Sequence, residues 1–385
     1  MTDTISRVAG NAAKQNLKQI ASEARHWLHS AADFWSNNGR SFGLFAERLS
    51  LSGEHDAVAR RIFVQSRHIY SFCIAGRLGW DGPWRPLIEE TLEILLSRAR
   101  RSDGFFVHRL THDGQAEDLR ADLYDQAFML FMLGHAANFL QRDDLIAVAV
   151  DLTDKLEECW RRPEGGFFEG ELVAAGVRLQ NPHMHLLEAF LVLHEVTGIA
   201  RFQQLAREML ALCENHFIDQ SSGALLEYFD EQLLPLAGEQ GKIVEPGHCF
   251  EWAWLLEKTT WAPQARHLSG RLTEFGRRWG VDPVRNVAVN EVFIDGSKRN
   301  TSARLWPQTE RLKAALARFQ YGCDPSEADE VKLAYLGLRQ YLTTNGAITW
   351  RDKLDPNGQW IDEPSPGSSL YHIACAYNEL INCMG

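Results

Sequence analysis

One structural unit recurs six times along this chain of 385 residues. Each copy begins with a turn that carries glycine or asparagine beside apolar residues, continues through a polar loop, and ends in a strongly apolar helix. The turns are anchored at Gly43, Gly104, Gly166, Gly223, Asn286 and Gly346, so successive copies lie 61, 62, 57, 63 and 60 residues apart. A period this regular is typical of repeat architectures, in which one supersecondary unit is used several times.

A second, more amphipathic helix precedes each turn. The predicted ranges are 17–34, 84–100, 145–160, 199–216, 263–279 and 328–342. A helix pair cannot bury its apolar side alone, whereas closing six pairs into a ring buries all of them at once. We therefore predict one all-α domain over residues 1–385, an (α/α)6 toroid of six inner and six outer helices with short β-hairpins at one face. An open helical solenoid is the alternative, but it would leave two apolar ends that need polar caps.

The composition excludes several classes of partner. The net charge is 40 − 51 = −11 and no basic block occurs, which argues against binding to nucleic acid or to an anionic membrane. No run of 18 apolar residues is present, and the first 15 residues lack the apolar core of a secretion signal. The seven cysteines are scattered without a C-x-x-C pair, as in reduced proteins of the cytoplasm. We therefore expect a cytoplasmic protein.

The predicted topology brings polar residues together at one face. Because hairpin and loop precede the inner helix in every copy, all six inner helices should begin at the same mouth of the ring, where their positive dipole ends favour an oxyanion. Arg67 of the first inner helix should lie there, together with polar and aromatic residues from the first turns of the other five inner helices. These residues are Tyr124, Asp125, Gln126, Asn181, His183, His185, His248, Glu251, Arg304, Trp306, Gln308, Glu310 and His372.

The fourth inner helix begins with a histidine. Pro246 fixes a helix start, and His248 and Glu251, three residues apart, share one helical face. A carboxylate can fix the tautomer of an imidazole and raise its basicity, so this pair is a candidate for proton transfer. Taken alone, it is equally consistent with a buried structural histidine, but the matching positions of polar residues in the other copies favour a site.

Two other chemistries stay open at this point. His183, His185, His248 and His372 could supply ligands to zinc, although no H-E-x-x-H motif or Cys/His spacing occurs. A glycosidase would need two carboxylates across the cavity, for which Asp125, Glu251 and Glu310 are available. No glycine-rich phosphate loop follows a predicted strand.

Five segments resemble the N-acylglucosamine 2-epimerase superfamily, in order and in spacing. They are LYDQAF (123–128), NPHMHLLEA (181–189), EPGHCFEW (245–252), RLWPQTE (304–310) and SSLYHI (368–373). The resemblance covers essentially the whole chain and implies an (α/α)6 barrel. It also implies that His248 and His372 are the acid/base pair, that Glu251 supports His248, and that Arg67, Asn181, His185 and Trp306 contact the sugar. By their positions, Tyr124, Asp125, Arg304 and Gln308 are also expected at the substrate.

Within the superfamily, RLWPQTE and PGHxFEW look closest to the mannose and sulfoquinovose isomerases. This implies proton transfer between C1 and C2 of an open-chain monosaccharide through a cis-enediolate, for which a histidine with a pKa near 6.5 is suited. We expect D-mannose to D-fructose isomerisation without a metal or redox cofactor, with His372 as the base at C2 and His248 opening the ring. An N-acylglucosamine 2-epimerase and a non-catalytic partner-binding protein are the alternatives, and a homodimer is an open possibility.

Overall fold

The structure, a computed structural model, describes residues 2–322, 327–342 and 347–384. The sixth predicted anchor, Gly346, and one of the seven cysteines, Cys323, lie outside these residues. The six described cysteines are free thiols. No helix in the described part of the chain is long and apolar enough to cross a membrane.

Helices in the described ranges alternate between an outer and an inner position. The outer helices are α1 (Thr2–Asn38), α3 (Trp84–Ile94), α5 (Asp143–Cys159), α7 (Ala200–Leu212), α9 (Ala265–Phe275) and α11 (Glu327–Tyr341), and the inner helices are α2 (Ile62–Arg77), α4 (Leu123–Leu140), α6 (Gln180–Thr197), α8 (Pro246–Lys258), α10 (Leu305–Gly322) and α12 (Ser369–Met384). Three outer helices end in a π-helical turn, at Leu95–Ala99, Cys213–Phe217 and Gly276–Gly280, and a 3-10 turn covers Gln240–Lys242.

The inner helices form a closed ring. Each packs against the next one along the chain, and α12 packs against α2. Each inner helix also carries one outer helix, with α1 seated on α12. The predicted (α/α)6 toroid is therefore confirmed, and the open solenoid is wrong. Closure is the favourable solution because it leaves no inner helix with an uncovered apolar side.

Burial differs between the two rings as the sequence pattern predicts. Helix α8 is buried at every position from Pro246 to Glu257. Helix α5 buries only Leu145, Ala149, Leu152, Thr153 and Leu156, which form a single stripe. A fully buried large apolar side chain contributes about 1.5–3 kcal/mol, so the inner ring supplies much of the stability. A charged group on an inner helix therefore needs a specific partner.

Short strands close a second ring at the end where the inner helices begin. In the described residues these strands are Arg40–Ser41, Leu44–Phe45, Arg48–Leu49, Arg60–Arg61, Arg109–Leu110, Ala116–Asp118, Arg178–Leu179, Tyr228–Phe229, Ile243–Val244, Val281–Asp282, Val287–Ala288, Glu291–Phe293, Lys298–Asn300, Ala303–Arg304, Lys353–Leu354 and Ser365–Pro366. All their pairings are antiparallel.

These strands link each repeat to the next. The strand before α2 pairs with the second repeat, with Arg60 opposite Leu110, and the strand before α12 pairs with the first repeat, with Ser365 opposite Leu49. The strands before α6, α8 and α10 follow the same rule, and before α4 a single bridge takes their place. This belt fixes the six inner-helix N-termini around one opening.

Three glutamines attach inner helices to their own hairpins. In each case the side-chain amide accepts a hydrogen bond from the backbone N–H and donates one to the backbone C=O of a residue twenty positions earlier, at 2.7 to 2.9 Å. The pairs are Gln65 with Phe45, Gln126 with Phe106, and Gln308 with Ala288. Gln308, predicted to bind substrate, is thus committed to the backbone of its own repeat.

Candidate active site

A cavity of about 180 Å³ opens at the mouth formed by the inner-helix N-termini. Nine of the eleven residues predicted for the site line it. The lining residues are Arg67, Tyr124, Asn181, His185, Glu245, His248, Glu251, Arg304, Trp306, Ser368, Ser369 and His372. The two that do not are Asp125 and Gln308. The volume is on the scale of a small metabolite, below the range of about 300–1,000 Å³ of pockets for drug-sized ligands.

His248, in the first turn of α8, is held by the hairpin before it. Its Nδ1 lies 2.9 Å from Oε2 of Glu227 and 3.9 Å from Oε2 of Glu245. The sequence predicted that Glu251 supports His248, whereas in the structure the carboxylate bonded to Nδ1 of His248 is that of Glu227. Side chains of a helix lean toward its N-terminus, so His248 reaches back to the hairpin while Glu251 lies one turn deeper in the ring.

The carboxylate of Glu227 is itself fixed by two further hydrogen bonds. Gln180 Nε2 donates to Glu227 Oε2 at 2.7 Å, and the backbone N–H of Glu245 donates to Glu227 Oε1 at 3.2 Å. The indole of Trp252 in turn orients Gln180, with a 2.6 Å hydrogen bond to Oε1. Sequence reasoning missed Glu227, although a carboxylate inside the apolar hairpin 224–229 was a usable signal.

Charge around His248 favours its protonated form. Burial disfavours the imidazolium, but the carboxylates of Glu227 and Glu245 outweigh it and raise the pKa of His248 to about 10. Burial raises the pKa of Glu245 to about 7, against the attraction of His248. At neutral pH His248 is consequently a proton donor.

His372, in the first turn of α12, has the opposite protonation state. Its Nδ1 lies 2.9 Å from Oε1 of Glu310 on α10. Burial, together with the positive charges of Arg67 and Lys313, holds the pKa of His372 well below 6.5. A neutral ring that donates its Nδ1–H to an ionised Glu310 would keep the lone pair of Nε2 as a base.

One tryptophan contacts both histidines. The Trp306 ring lies 4.9 Å from His248 and 5.8 Å from His372, measured between ring centroids. Trp306 also packs on the backbone of Gly247, where an added Cβ would lie 2.5 Å from the indole. Only glycine permits this approach, because real Cβ contacts do not occur at that distance.

Arg67 is a cation held among aromatic rings. Its Nη2 donates to the Tyr124 hydroxyl at 2.6 Å, and its guanidinium lies 4.2 Å from the ring centroid of Phe128 and 4.9 Å from that of Tyr371. Such cation–π contacts fix a desolvated guanidinium in place. Arg67 can stabilise negative charge that develops on an oxygen in the cavity.

Two buried carboxylates, Glu251 in the cavity wall and Glu188 behind it, differ in ionisation. Glu188 accepts hydrogen bonds from the Tyr371 hydroxyl at 2.7 Å and from His185 Nδ1 at 3.2 Å. Although burial opposes ionisation, the His185 contacts and nearby Lys313 lower the pKa of Glu188 to about 2. Burial and the charge of Glu310 raise the pKa of Glu251 to about 8, so Glu251 is a neutral acid at pH 7. Glu188 stands in the NPHMHLLEA segment, but no pattern in the sequence assigned it a role.

Two predicted residues have structural partners outside the cavity. Asp125 is buried and lies with Oδ2 2.7 Å from Nδ1 of His108. His183 accepts a hydrogen bond from the backbone N–H of Phe167 at 3.0 Å, and its Nδ1 lies 2.9 Å from the carbonyl of Leu179. Asp125 is therefore not available as a catalytic carboxylate of a glycosidase, and His183 is not available as a zinc ligand.

Two groups of side chains have the spacing of metal ligands. Within the described residues, the ligand atoms of Glu227, Glu245 and His248 lie within 4.8 Å of one another, as do those of Glu251, Glu310 and His372. In each group the histidine Nδ1 already shares a proton with a carboxylate. These hydrogen bonds explain why the ligand atoms in each group lie close together. That the enzyme needs no metal remains a prediction.

A closed ring of six helix pairs, with two buried histidines at one cavity of the size of a small metabolite, fits a sugar isomerase or epimerase of the (α/α)6 class. The chain belongs to the N-acylglucosamine 2-epimerase (GlcNAc 2-epimerase) family, whose model matches residues 43–376. It is therefore a carbohydrate-converting enzyme.

Known proteins similar to this chain carry isomerase and epimerase names. A mannose-6-phosphate isomerase of Rhizobium meliloti (strain 1021) is 39% identical over 381 residues, which cover 94% of this chain and 97% of the relative. The crystal structure of a D-mannose isomerase matches with a TM-score of 0.86 at 18% identity, over 94% of this chain and 97% of the other. Cellobiose 2-epimerase from Bacillus thermoamylovorans B4167 also has a TM-score of 0.86, at 16% identity, over 94% and 99% of the two chains. The two structures support the fold.

Proposed function

We propose that this protein is an aldose–ketose isomerase that interconverts D-mannose and D-fructose through a cis-enediolate. The observation that carries the proposal is the presence of two histidines at one cavity, each bonded through Nδ1 to a different carboxylate, in surroundings that shift their pKa values in opposite directions. His248, with a pKa of about 10, is an acid at neutral pH, and His372, with a pKa well below 6.5, is a base. Environments that push the pKa values of two neighbouring groups apart identify the acid and the base of a reaction.

The proton transfers follow from this assignment. His248 donates a proton to the ring oxygen and takes up the proton of the C1 hydroxyl as the pyranose opens, so that it is protonated again for the next step. Nε2 of His372 then removes the proton from C2 and returns it to C1, while His248 exchanges the hydroxyl protons at O1 and O2. Arg67 stabilises the negative oxygen of the enediolate, and Glu251, as a neutral acid, donates a hydrogen bond to a sugar oxygen. All electrons remain in the sugar, so no redox cofactor is required.

The charge of the cavity favours a hexose without phosphate. The arginines that line the cavity are Arg67 and Arg304, and the protonated His248 is paired with the carboxylates of Glu227 and Glu245. Arg67 is committed to Tyr124 and to its ring contacts, while Arg304 is 45% exposed at the rim. A phosphate has three strong acceptor oxygens and is ordinarily held by several donors, and one exposed arginine at the rim is a weak match to that requirement. The name of the Rhizobium relative points to the phosphorylated sugar, so both substrates must be compared.

The test is incubation with D-mannose, D-mannose 6-phosphate and N-acetyl-D-mannosamine in deuterated water, with products and label followed by NMR. We expect fructose from mannose and slower reaction of the phosphate ester. The His372→Asn variant should be inactive. The exposed His267 provides the matched control, and His267→Asn should have wild-type activity. Retained activity in His372→Asn would contradict the assignment of the base.

A 2-epimerase is the second candidate, favoured by the family match itself. The same two histidines could return the proton to the opposite face of C2. N-acetylglucosamine labelled at C2, formed from N-acetylmannosamine, would establish that reaction instead. No reaction with any of the three sugars would favour a binding role without catalysis.

A further inference from the structure

Helix α10 carries a fully buried lysine directly behind the catalytic histidines. Lys313 Nζ lies 2.6 Å from Oε2 of Glu310, and the other oxygen of the same carboxylate bonds to Nδ1 of His372. The ammonium also lies 3.7 Å from the ring centroid of Trp254 and 3.7 Å from Sγ of Cys375. Lys313 does not line the cavity, so it reaches the substrate only through other side chains.

A buried ion pair calls for an explanation other than stability. Desolvation of two charges offsets most of their attraction, so an apolar residue of similar volume would serve packing equally well. The neighbours of Lys313 on its helix, Leu312 and Ala314, are buried apolar residues of this kind. The charge at position 313 therefore has a use that packing does not explain.

The surrounding groups show what the charge does. Three buried carboxylates surround the Lys313 ammonium. They belong to Glu188 on α6, Glu251 on α8 and Glu310 on α10. His372 and Cys375 on α12 also lie beside it. Burial raises the pKa of Glu310, and the Lys313 ammonium is the strongest group acting in the opposite direction. Loss of this cation would raise the pKa of Glu310 further.

We propose that Lys313 is a positioning residue that keeps Glu310 ionised, so that the Glu310 carboxylate accepts Nδ1–H of His372 and leaves Nε2 as the base. A protonated Glu310 would donate to Nδ1 instead, and the imidazole would then carry its proton on Nε2, where it cannot act as a base. This inference rests on the role of His372 in the proposed function. It adds a residue that acts on the sugar through Glu310 and His372 in turn.

The kinetic test compares pH profiles of Lys313→Met, Lys313→Arg and Glu310→Gln. In Lys313→Met we expect kcat at pH 7 to fall about 100-fold, the scale of a lost general base, and to recover as rising pH ionises Glu310. Lys313→Arg should keep the wild-type profile because it keeps the charge. Glu310→Gln should lose activity without recovery, since an amide does not titrate. A Lys313→Met profile parallel to that of the wild type would overturn the proposal, because a merely structural lysine changes the active fraction and not the pH dependence.

The double variant covers the case in which Lys313→Met does not fold. Lys313→Met/Glu310→Gln removes both charges of the ion pair, so neither is left buried without the other, which is the costly state of such a site. If Lys313 acts only through Glu310, the double variant should match Glu310→Gln in kcat, as expected for two residues of one unit. A further tenfold loss in the double variant would overturn the proposal.

A measurement without substrate separates this inference from the proposed function. 15N NMR of the histidine rings, with the His372 signals assigned by His372→Asn, reports the tautomer directly. We expect a neutral ring protonated at Nδ1 in the wild type and loss of this state in the double variant. Protonation at Nε2 in the wild type would overturn the inference, whether or not any sugar is converted.

Discussion

His248 on an inner helix and Glu227 in the hairpin before it are joined by a hydrogen bond of 2.9 Å. Both side chains are almost fully buried. Because Glu227 is fixed by Gln180 and by backbone, its charge cannot move away from the imidazole. The hairpin thus sets the protonation state of the helix residue, and the strand belt contributes directly to the chemistry of the cavity.

Replacing Glu227 by glutamine should lower the pKa of His248. The carboxylate is the largest group that raises this pKa above 6.5, so its loss lets burial pull the value down from about 10. The imidazolium that donates protons is then lost at lower pH, and the alkaline limb of kcat moves to lower pH. NMR titration of the His248 ring and the pH profile of kcat measure the effect. Glu231→Gln, at an exposed position of the same hairpin, is the control and should change neither.

Glu251→Gln should remove a pH dependence of both activity and stability. The pKa of Glu251 is raised to about 8 from an ordinary value of 4.5, so the folded protein binds a proton that the unfolded chain releases between these values. Stability from this group is therefore present at low pH and lost as pH rises toward about 8. The Tm of the variant minus that of the wild type should therefore increase as pH rises from 5 to 8. The activity of the variant should not decline near pH 8. Equal Tm differences across this range would contradict the shifted pKa.

Gly247→Ala should reduce kcat while the fold stays intact. The added Cβ would lie 2.5 Å from the Trp306 ring, so the indole must shift, and with it the packing of both histidines. We expect a loss of about 100-fold, because a displacement of about 1 Å at a catalytic geometry has this cost. Gly270→Ala is the matched control: its Cβ would make only a 3.5 Å contact with Arg318, and alanine should stabilise this helix position by about 0.4–1 kcal/mol. Wild-type kcat in Gly247→Ala would show that Trp306 does not position the histidines.

Gln308→Ala separates a structural role from substrate binding. The amide satisfies the N–H and the C=O of buried Ala288, and leaving a buried polar group unsatisfied costs about 1–3 kcal/mol. We expect a lower free energy of unfolding by about 2 kcal/mol or more, measured by denaturant titration, with KM unchanged. A raised KM at unchanged stability would restore the substrate-binding interpretation. Gln126→Ala, at the matching position of the second repeat, should behave in the same way.

The site was only partly readable from the sequence. Position within the repeat placed His248, His372, Arg67 and Trp306 at one mouth, and the cavity contains them. The same argument placed Gln308 there, because it cannot tell a side chain that turns into the cavity from one that turns to its own hairpin.

The ring architecture was determined by the sequence alone, since the spacing of the turns and the apolar helices are local signals repeated six times, and closure is the arrangement that buries every inner helix. The pairing of charges was decided only by the tertiary structure. His248 meets Glu227 across 21 residues, and His372 meets Glu310 across 62. Such contacts depend on the rotation of each helix and the direction of each side chain in the closed ring, and neither leaves a periodic trace in the sequence. In the proposed function, it is the fold that distinguishes the acid from the base, although both residues are histidines.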